Sequence, residues 1–240
     1  MGVRQECELI FDGVSSKDIG ITVEGYPGAF LPERDYDTET VPGRNGDLIY
    51  DYGTYKNYQQ AYTIHWRYVQ RDARISSWLC KPGYKRLEDS FHPEHFRIAH
   101  FNGSADIDNR MQVLKRSDVE FDFKPQWFRK AGEWPVNVSN GKTIINTGMP
   151  SKPLITVTGS GSGTLVVNDV SIALSNISNN GIVLDCDVQD AYSPDKLTNL
   201  NANITLSRNT FPEFVTGKNT IKFSGGITAV KIIPRWWDLL

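Results

Sequence analysis

The residues that could bind a metal ion lie between His92 and His100. His92, Glu94 and His95 stand close together, and histidine nitrogens with a carboxylate are ligands that zinc accepts. Pro93, however, prevents the continuous helix on which zinc proteases present two histidines, and no cysteine lies nearby to complete the set. We therefore expect a solvated loop that leads into a strand, without a bound metal.

Two acidic clusters could serve other chemistry. The run Asp106-Ile107-Asp108-Asn109 has the acidity of a calcium loop but lacks its glycine and its distal glutamate, so a polar hairpin tip is the simpler interpretation. Asp185 and Asp187 could form the carboxylate pair of a glycoside hydrolase. Two carboxylates at this spacing on one strand are equally well explained as a solvated face.

The glycine-rich run Gly159-Ser160-Gly161-Ser162-Gly163 has the composition of a phosphate-binding loop. Such a loop must precede a helix N-terminus, whereas the following residues, Thr164 to Val167, are typical of a strand. The run therefore predicts a hairpin turn. No serine or cysteine has a histidine and an acid in the context that nucleophilic catalysis requires. We predict no catalytic residue, no cofactor and no enzymatic activity.

Three aromatic residues could contact a sugar or a partner protein: Tyr192, Trp236 and Trp237. Their rings could stack on a sugar, as aromatic residues do in carbohydrate-binding sandwiches. Alternatively, one tryptophan fills the core while the other packs against a neighbouring domain or subunit. The second interpretation is favoured, and the first stays open.

Composition argues against several protein classes. The chain of 240 residues has a net charge of −2 and lacks the basic excess expected of a nucleic-acid-binding protein. No window is apolar enough for a membrane span, and no signal peptide is expected. Cys7, Cys80 and Cys186 match neither a disulfide framework nor a metal knuckle, so we expect reduced, mostly buried thiols.

The character of the chain changes near Gly132. Of the charged residues, 38 lie in the first 132 positions and 16 in the remaining 108. The run Gly132-Glu133-Trp134-Pro135 is typical of a linker or an entry loop. We therefore predict two domains, residues 1–132 and 133–240.

Three segments of the first domain have clear periodicity. From Tyr58 to Val69, aromatic and apolar residues alternate with polar ones, which predicts a central strand of an antiparallel sheet with one wet face. From Asp72 to Cys80, apolar residues recur at helical spacing, and this helix is expected to cover the sheet. Ser117 to Lys124 alternates again, and Pro125 is expected to end that strand.

A turn between two strands is expected in the stretch from Val41 to Gly53. Pro42 favours a turn conformation, and Asn45-Gly46 is a strong hairpin signal. The residues that follow, Leu48 to Tyr52, alternate in the manner of a half-buried strand. The stretch therefore predicts a hairpin whose second strand packs one face on the core.

The second domain contains short apolar segments separated by turn residues. The expected strands are Leu154 to Thr158, Leu165 to Val170, Ser171 to Leu174, Ile182 to Cys186, Asn203 to Leu206, Asn219 to Phe223 and Thr228 to Pro234. This spacing predicts a β-sandwich. The whole chain is expected to be mainly β, with an N-terminal antiparallel sandwich-like domain that carries one helix, followed by a second sandwich.

Several segments, in order along the chain, resemble the distal tail proteins of phages with long non-contractile tails. They are Phe11 to Gly20, Pro42 to Gly46, Tyr55 to Asn57, Pro153 to Gly161, Val167 to Asp169, Gly217 to Ile221 and Pro234 to Trp237. The resemblance covers nearly the whole chain. It implies a ring-forming N-terminal domain and a galectin-like or CBM-like C-terminal domain.

The resemblance also implies a structural role in the virion. A hexameric ring at the tail tip would bind the tail tube on one face and tail-fibre, receptor-binding or lysin-like proteins on the other, after assembly in the host cytoplasm. DNA would pass through the ring without specific binding, in agreement with 18 basic against 20 acidic residues in positions 1–132. The alternative is a carbohydrate-binding module that recognises a host cell-wall glycan through its second domain.

A head-to-tail ring needs complementary surfaces, which are commonly aromatic. The hairpin region supplies such residues, and strand addition to a neighbouring subunit would cover its edge. The predicted interface residues are Asn45, Gly46, Tyr50, Tyr52, Tyr55 and Tyr58.

Overall fold

The computed structural model describes residues 7–25, 28, 30–67, 72–103 and 114–240, and every structural statement below concerns these residues. The chain divides into two compact units, unit 1 (residues 1–127 with 239–240) and unit 2 (residues 128–238). Both consist mainly of curled antiparallel sheets, which confirms the predicted fold class. The separate roles assigned to residues 1–132 and 133–240 stay predictions.

The strands of unit 1 form one large sheet and one small one. In chain order they are Leu9–Phe11 (β1), Val14–Ser15 (β2), Ile21–Glu24 (β3), Arg34–Glu39 (β4), Leu48–Tyr55 (β5), Tyr58–Arg67 (β6), Lys85–Asp89 (β7), His95–Phe101 (β8) and Leu114–Arg129 (β9), whose last two residues belong to unit 2. The large sheet has the order β2-β1-β7-β8-β9-β6-β3, whereas β4 and β5 pair only with each other in the described part of the chain. Helix α1 spans Asp72–Leu79.

Strand β6 is the central strand that its alternation predicts. It pairs antiparallel with β3 and with β9. Tyr62, Ile64 and Trp66 are buried, whereas Ala61 is exposed. One face therefore packs in the core, as expected; residues 68–69, the end of the predicted strand, lie outside the described residues.

Helix α1 covers the sheet, which also confirms a prediction. Its apolar face, including Ile75 and Trp78, is buried in the core of unit 1. Asp72 in the first turn accepts hydrogen bonds from Trp66 Nε1 (2.8 Å) and Lys115 Nζ. A carboxylate at a helix N-terminus is favourable in itself, and here it also ties the helix to strands β6 and β9.

Strand β9 continues past Pro125 to Arg129, so the prediction that Pro125 ends it is wrong. The pairing between β6 and β9 ends at Tyr58 opposite Phe123. Pro125 lies beyond this last pair, where the missing proline N–H removes no hydrogen bond from the β6 ladder.

Unit 2 contains a second antiparallel sheet built around two long strands. The strands of this sheet are Val136–Val138 (β10), Thr143–Asn146 (β11), Leu154–Val167 (β12), Val170–Ile177 (β13), Ile182–Asp185 (β14), Asp190–Tyr192 (β15), Ile204–Leu206 (β16) and Gly217–Ile233 (β17). The short strand Trp237–Asp238 (β18) is not part of it. The order is β10-β17-β12-β13-β16, with β11 on β17 and β14 between β12 and β15. Short 3₁₀ helices lie at Lys130–Glu133 and Asn201–Asn203.

Strand β12 runs without interruption through Gly159 and Gly163, so the hairpin turn predicted there is wrong. This segment pairs with the middle of β17, and the register shifts at both glycines. The two backbones approach so closely that a Cβ atom on Gly159 or Gly226 would overlap a carbonyl oxygen of the facing strand. The glycines thus serve close strand packing, and the two strands predicted at 219–223 and 228–234 are parts of β17.

Candidate functional site

The β4–β5 hairpin is the most exposed regular element of unit 1. Its strands pair from Glu39 opposite Leu48 to Arg34 opposite Tyr55, and residues 40–47 form the connecting loop. Gly46 in this loop has φ 81°, a value that favours glycine. Asn45 and Gly46 therefore lie in the connecting loop, and both are exposed.

One face of the hairpin combines aromatic and acidic residues. The rings of Tyr50 and Tyr52 meet edge to face, with centroids 5.2 Å apart, and Leu48 lies on the same side of β5 by alternation. The Tyr52 hydroxyl donates a hydrogen bond to Asp37 on β4, and this bond is the main reason why the pKa of Tyr52 is raised. The phenol therefore stays neutral at physiological pH.

The other face is held by an arginine. Arg34 Nε donates to both carboxylate oxygens of Asp51 (3.0 Å each), and its Nη1 donates to the Tyr55 hydroxyl (3.0 Å). The Arg34 guanidinium also lies 5.1 Å from the centre of the Tyr55 ring. The hydrogen bond from Arg34 lowers the pKa of Asp51. These contacts fix the two strands at the base of the hairpin.

The apolar side chains of the hairpin are open to solvent, so the prediction of a half-buried second strand is wrong. Ile49 is 69% exposed, Tyr50 68% and Tyr52 50%. The reason is that no layer of described residues packs on either face of this two-stranded sheet. Leu48, Tyr50 and Tyr52 lie on one face of the hairpin, and Ile49 and Tyr36 lie on the other. Large apolar residues exposed in such number on one element mark an interaction site. We call the side chains of Tyr36, Leu48, Ile49, Tyr50 and Tyr52 the hairpin surface.

The four predicted interface tyrosines occupy three different positions. Tyr50 and Tyr52 lie on the hairpin surface, and Tyr55 lies at the hairpin base. Tyr58 begins β6, where its ring stacks on Phe123 at 5.3 Å between centroids and its hydroxyl accepts a hydrogen bond from Arg97. Tyr58 is therefore part of the packed interior of unit 1. The interface role of all six residues stays a prediction.

The buried arginine Arg97 was not identified from the sequence. It is 2% exposed, and it donates to Gln60 Oε1 (2.6 Å), to Asp89 Oδ2 (3.1 Å) and to the Tyr62 hydroxyl. Its guanidinium also lies 4.1 Å from the centres of the Phe123 and Trp127 rings. The sequence pattern that indicates its burial is alternation, because Arg97 falls on the same face of β8 as two buried apolar residues, Ala99 and Phe101.

The histidines considered as metal ligands contact other side chains. His92 Nδ1 lies 3.0 Å from Asp89 Oδ1, and its ring centre lies 4.5 Å from that of Trp127. The rings of His95 and Trp127 are 6.4 Å apart. Within the described ranges, no group of three or more His, Cys, Asp or Glu residues could hold a metal ion. The acidic run 106–109 lies outside them.

Asp185, one of the two candidate acids, forms an ion pair in unit 2. Arg235 donates to both of its carboxylate oxygens (2.6 and 3.0 Å), and the Tyr192 hydroxyl donates to Oδ2 (3.2 Å). Burial is the largest single influence and acts to raise the pKa of Asp185, but Arg235, the Asp187 N–H and the Tyr192 hydroxyl together lower it below its ordinary value. A glycosidase general acid needs a raised pKa, so Asp185 does not suit that role.

The three aromatic residues of unit 2 make separate contacts. Trp236 is partly buried against the core, with its ring centre 5.5 Å from that of Phe214. Trp237 Nε1 donates to Pro150 O (2.7 Å), and the Tyr192 hydroxyl is held by Asp185. Trp236 thus has the core-filling position that one interpretation requires. Sugar or partner contact by any of the three stays a prediction.

The cysteines are free thiols in different environments. Cys7 and Cys186 are buried, and burial raises their pKa values to about 11 and about 12. Cys80 is exposed. Over the same part of the chain, no helix combines the length and the apolar content needed to cross a membrane.

Comparison with known proteins reveals a similarity of fold. No protein-family model and no curated protein matches the sequence. Among solved structures, the crystal structure of the SPP1 Dit protein (gp 19.1) matches with a TM-score of 0.76 at 12% sequence identity, over 95% of this chain and 98% of that chain. That protein is described as a paradigm of the hub adsorption apparatus of phages that infect Gram-positive bacteria. The two chains therefore share a fold over nearly their whole lengths.

Proposed function

We propose that this chain is a distal tail hub protein, a structural component of a phage tail tip. The observation that carries the proposal is the extent of the fold match, which includes both units and nearly all of SPP1 Dit. A shared small domain would cover only part of each chain. The order along the chain of the segments that resemble distal tail proteins supports the same role independently of the structure.

The hub would be a hexameric ring built from the N-terminal domains, with galectin-like C-terminal domains directed outward. One face would bind the tail tube, and the other would bind tail-fibre or receptor-binding proteins. DNA would pass through the centre without being bound. The 18 basic and 20 acidic residues in positions 1–132 leave little non-specific affinity for phosphates. The protein would then be located at the tail tip of the virion.

The hairpin surface supports the ring. A two-stranded sheet with exposed apolar residues is marginal by itself in water, and a third strand or a covering layer would stabilise it. In a closed ring the hairpin of each subunit would meet a different surface of the next subunit. This arrangement covers Ile49 and Tyr50 in all six subunits at once.

Light scattering coupled to size exclusion, with negative-stain images, tests the ring. We expect a mass about six times the 27.1 kDa of one chain and an annular particle with an open centre. A monomer that stays monomeric when it is mixed with the phage's tail-tube protein would contradict the proposal.

Two variants test whether the hairpin forms the subunit interface, separately from whether a ring exists. Ile49→Ser combined with Tyr50→Ser should abolish the ring, because it removes two exposed apolar side chains from the hairpin surface. Leu197→Ser is the matched control: Leu197 is 85% exposed but lies in unit 2, and its loss should leave the ring intact. A ring that survives the hairpin variant would refute the interface role alone.

A further inference from the structure

A cavity of about 180 Å³ lies in unit 1 between helix α1 and the large sheet. Its lining is mainly apolar and includes Ile64, Ile75, Leu79, Phe101 and Val119. An apolar cavity of roughly 150 Å³ in another protein stays dry and binds benzene. The α1 cavity is therefore large enough for a molecule of the size of one aromatic ring.

One residue that lines the α1 cavity carries an unsatisfied polar group. Ser117 lies on the inward face of β9 and is 3% exposed, and among the described residues its Oγ has no hydrogen-bond partner. Buried hydroxyl groups are normally hydrogen-bonded, since an unpaired one is destabilising. A ligand hydroxyl that reached Ser117 would remove this penalty.

The charged group at the α1 cavity is already neutralised. Asp72 lines the cavity, but its two carboxylate oxygens accept hydrogen bonds from Trp66 Nε1 and from Lys115 Nζ. A charged ligand would therefore lose its hydration without gaining a counter-charge. The lining favours a neutral molecule.

We propose that the α1 cavity binds a small neutral molecule, an aromatic ring or a short aliphatic chain that carries one hydroxyl group directed at Ser117. The ring supplies apolar contact with the lining, and the hydroxyl supplies the missing hydrogen bond. This site is independent of the proposed hub function, because it lies beneath a helix of unit 1 and uses no residue of the hairpin surface.

Phenol and benzene are the probes that test the proposal, with the full chain labelled at its Ile, Leu and Val methyl groups for NMR. Phenol should shift the methyl signals of Ile64, Ile75, Leu79 and Val119 in a saturable way. Benzene should shift the same signals but bind about fivefold more weakly, because one neutral hydrogen bond is lost.

The variant Ser117→Ala isolates the hydrogen bond. It should weaken phenol binding about fivefold and leave benzene binding unchanged or improved. Without ligand, the variant should also melt at a higher temperature than the wild-type protein, because the unpaired hydroxyl is gone. This result would show that the variant folds. The control is Ser77→Ala, which removes a hydroxyl from helix α1 outside the cavity lining. It should change the affinity for neither phenol nor benzene.

Alkylation of Cys80 gives a second readout. Cys80 lines the α1 cavity and is exposed, whereas the other two cysteines are buried with raised pKa values. Saturating phenol should slow the reaction of Cys80 with iodoacetamide. If neither probe shifts a cavity methyl signal, or if Ser117→Ala affects both probes equally, the proposal is wrong.

Discussion

Two arginines of unit 1 use the same kinds of partner in opposite surroundings. Arg97 on β8 and Arg34 on β4 each donate to an aspartate and to a tyrosine hydroxyl, and each lies over an aromatic ring. The Arg97 side chain is 2% exposed, whereas the Arg34 side chain is 43% exposed. The two arginines therefore make the same kinds of contact and differ in how deeply their side chains are buried.

The difference shows where such a cluster matters for stability. An exposed ion pair adds little because water solvates both charges almost as well. A buried pair is costly to break because one charge is left without solvent or a partner. Arg235 in unit 2 is intermediate: it holds Asp185 and is 29% exposed. Arg97 thus belongs to the folded core, while the Arg34 cluster lies at the surface.

Replacing each arginine by methionine tests this ranking, and Arg97→Met should have the largest effect. It leaves Asp89, which is 8% exposed, without its arginine partner. We expect a loss of about 4 kcal/mol in the free energy of unfolding, measured with urea. The control is Arg97→Met combined with Asp89→Asn, which should recover part of the loss, since an asparagine oxygen can still accept from the Phe91 and His92 N–H groups. No recovery would mean that packing on Phe123 and Trp127 dominates.

Arg235→Met should rank second. It removes two hydrogen bonds to Asp185 but leaves the carboxylate its Tyr192 partner and some contact with solvent. We expect a loss of about 2 kcal/mol by the same urea measurement. A loss equal to that of Arg97→Met would contradict the dependence on burial.

The effect of Arg235→Met should also depend on pH. The folded protein has a lowered Asp185 pKa, below the ordinary value of 3.8. Such a group stabilises the fold above its unfolded pKa, and this contribution disappears as the pH falls through the folded pKa. The difference between wild type and variant should therefore be constant from neutral pH down to about pH 5 and shrink below pH 4. A difference that stays constant into this acid range would assign the effect to packing.

Arg34→Met should have the smallest effect. Both partners of the pair are solvated, so the unfolding midpoint of the isolated chain in urea should move by no more than experimental error. Lys17→Met, which breaks the exposed Glu8 pair, provides a matched surface control. A clear loss for Arg34→Met alone would show that the hairpin is integral to the fold of unit 1.

Local patterns predicted those elements whose surroundings agree with them. Strand β6 and helix α1 were found because their apolar residues recur at the period of the structure they form, and both pack on the core of unit 1. The exposure of β5 was missed, since alternation shows which residues share a face but not whether a layer covers that face.

Distant pairing explains the remaining errors. Gly159 to Gly163 has the composition of a turn, yet strand β12 continues through it, because Gly159 and Gly163 pair with β17 and Gly161 pairs with β13. The prediction that Pro125 ends its strand fails because Pro125 lies beyond the last β6–β9 pair, and the register with a distant strand does not follow from the local sequence. Arg97 was missed because its partners, Gln60, Tyr62 and Asp89, come from two other strands.

The pairing of β12 with β17 also has a consequence for the timing of folding during synthesis. Residues 168–216 separate the two strands, so β12 leaves the ribosome well before its main partner exists. It can pair with β13 at once, but its other edge stays open until β17 is made. Pairing between such distant strands is slow and exposes an edge to aggregation. Slower translation of residues 168–216 would prolong this vulnerable interval.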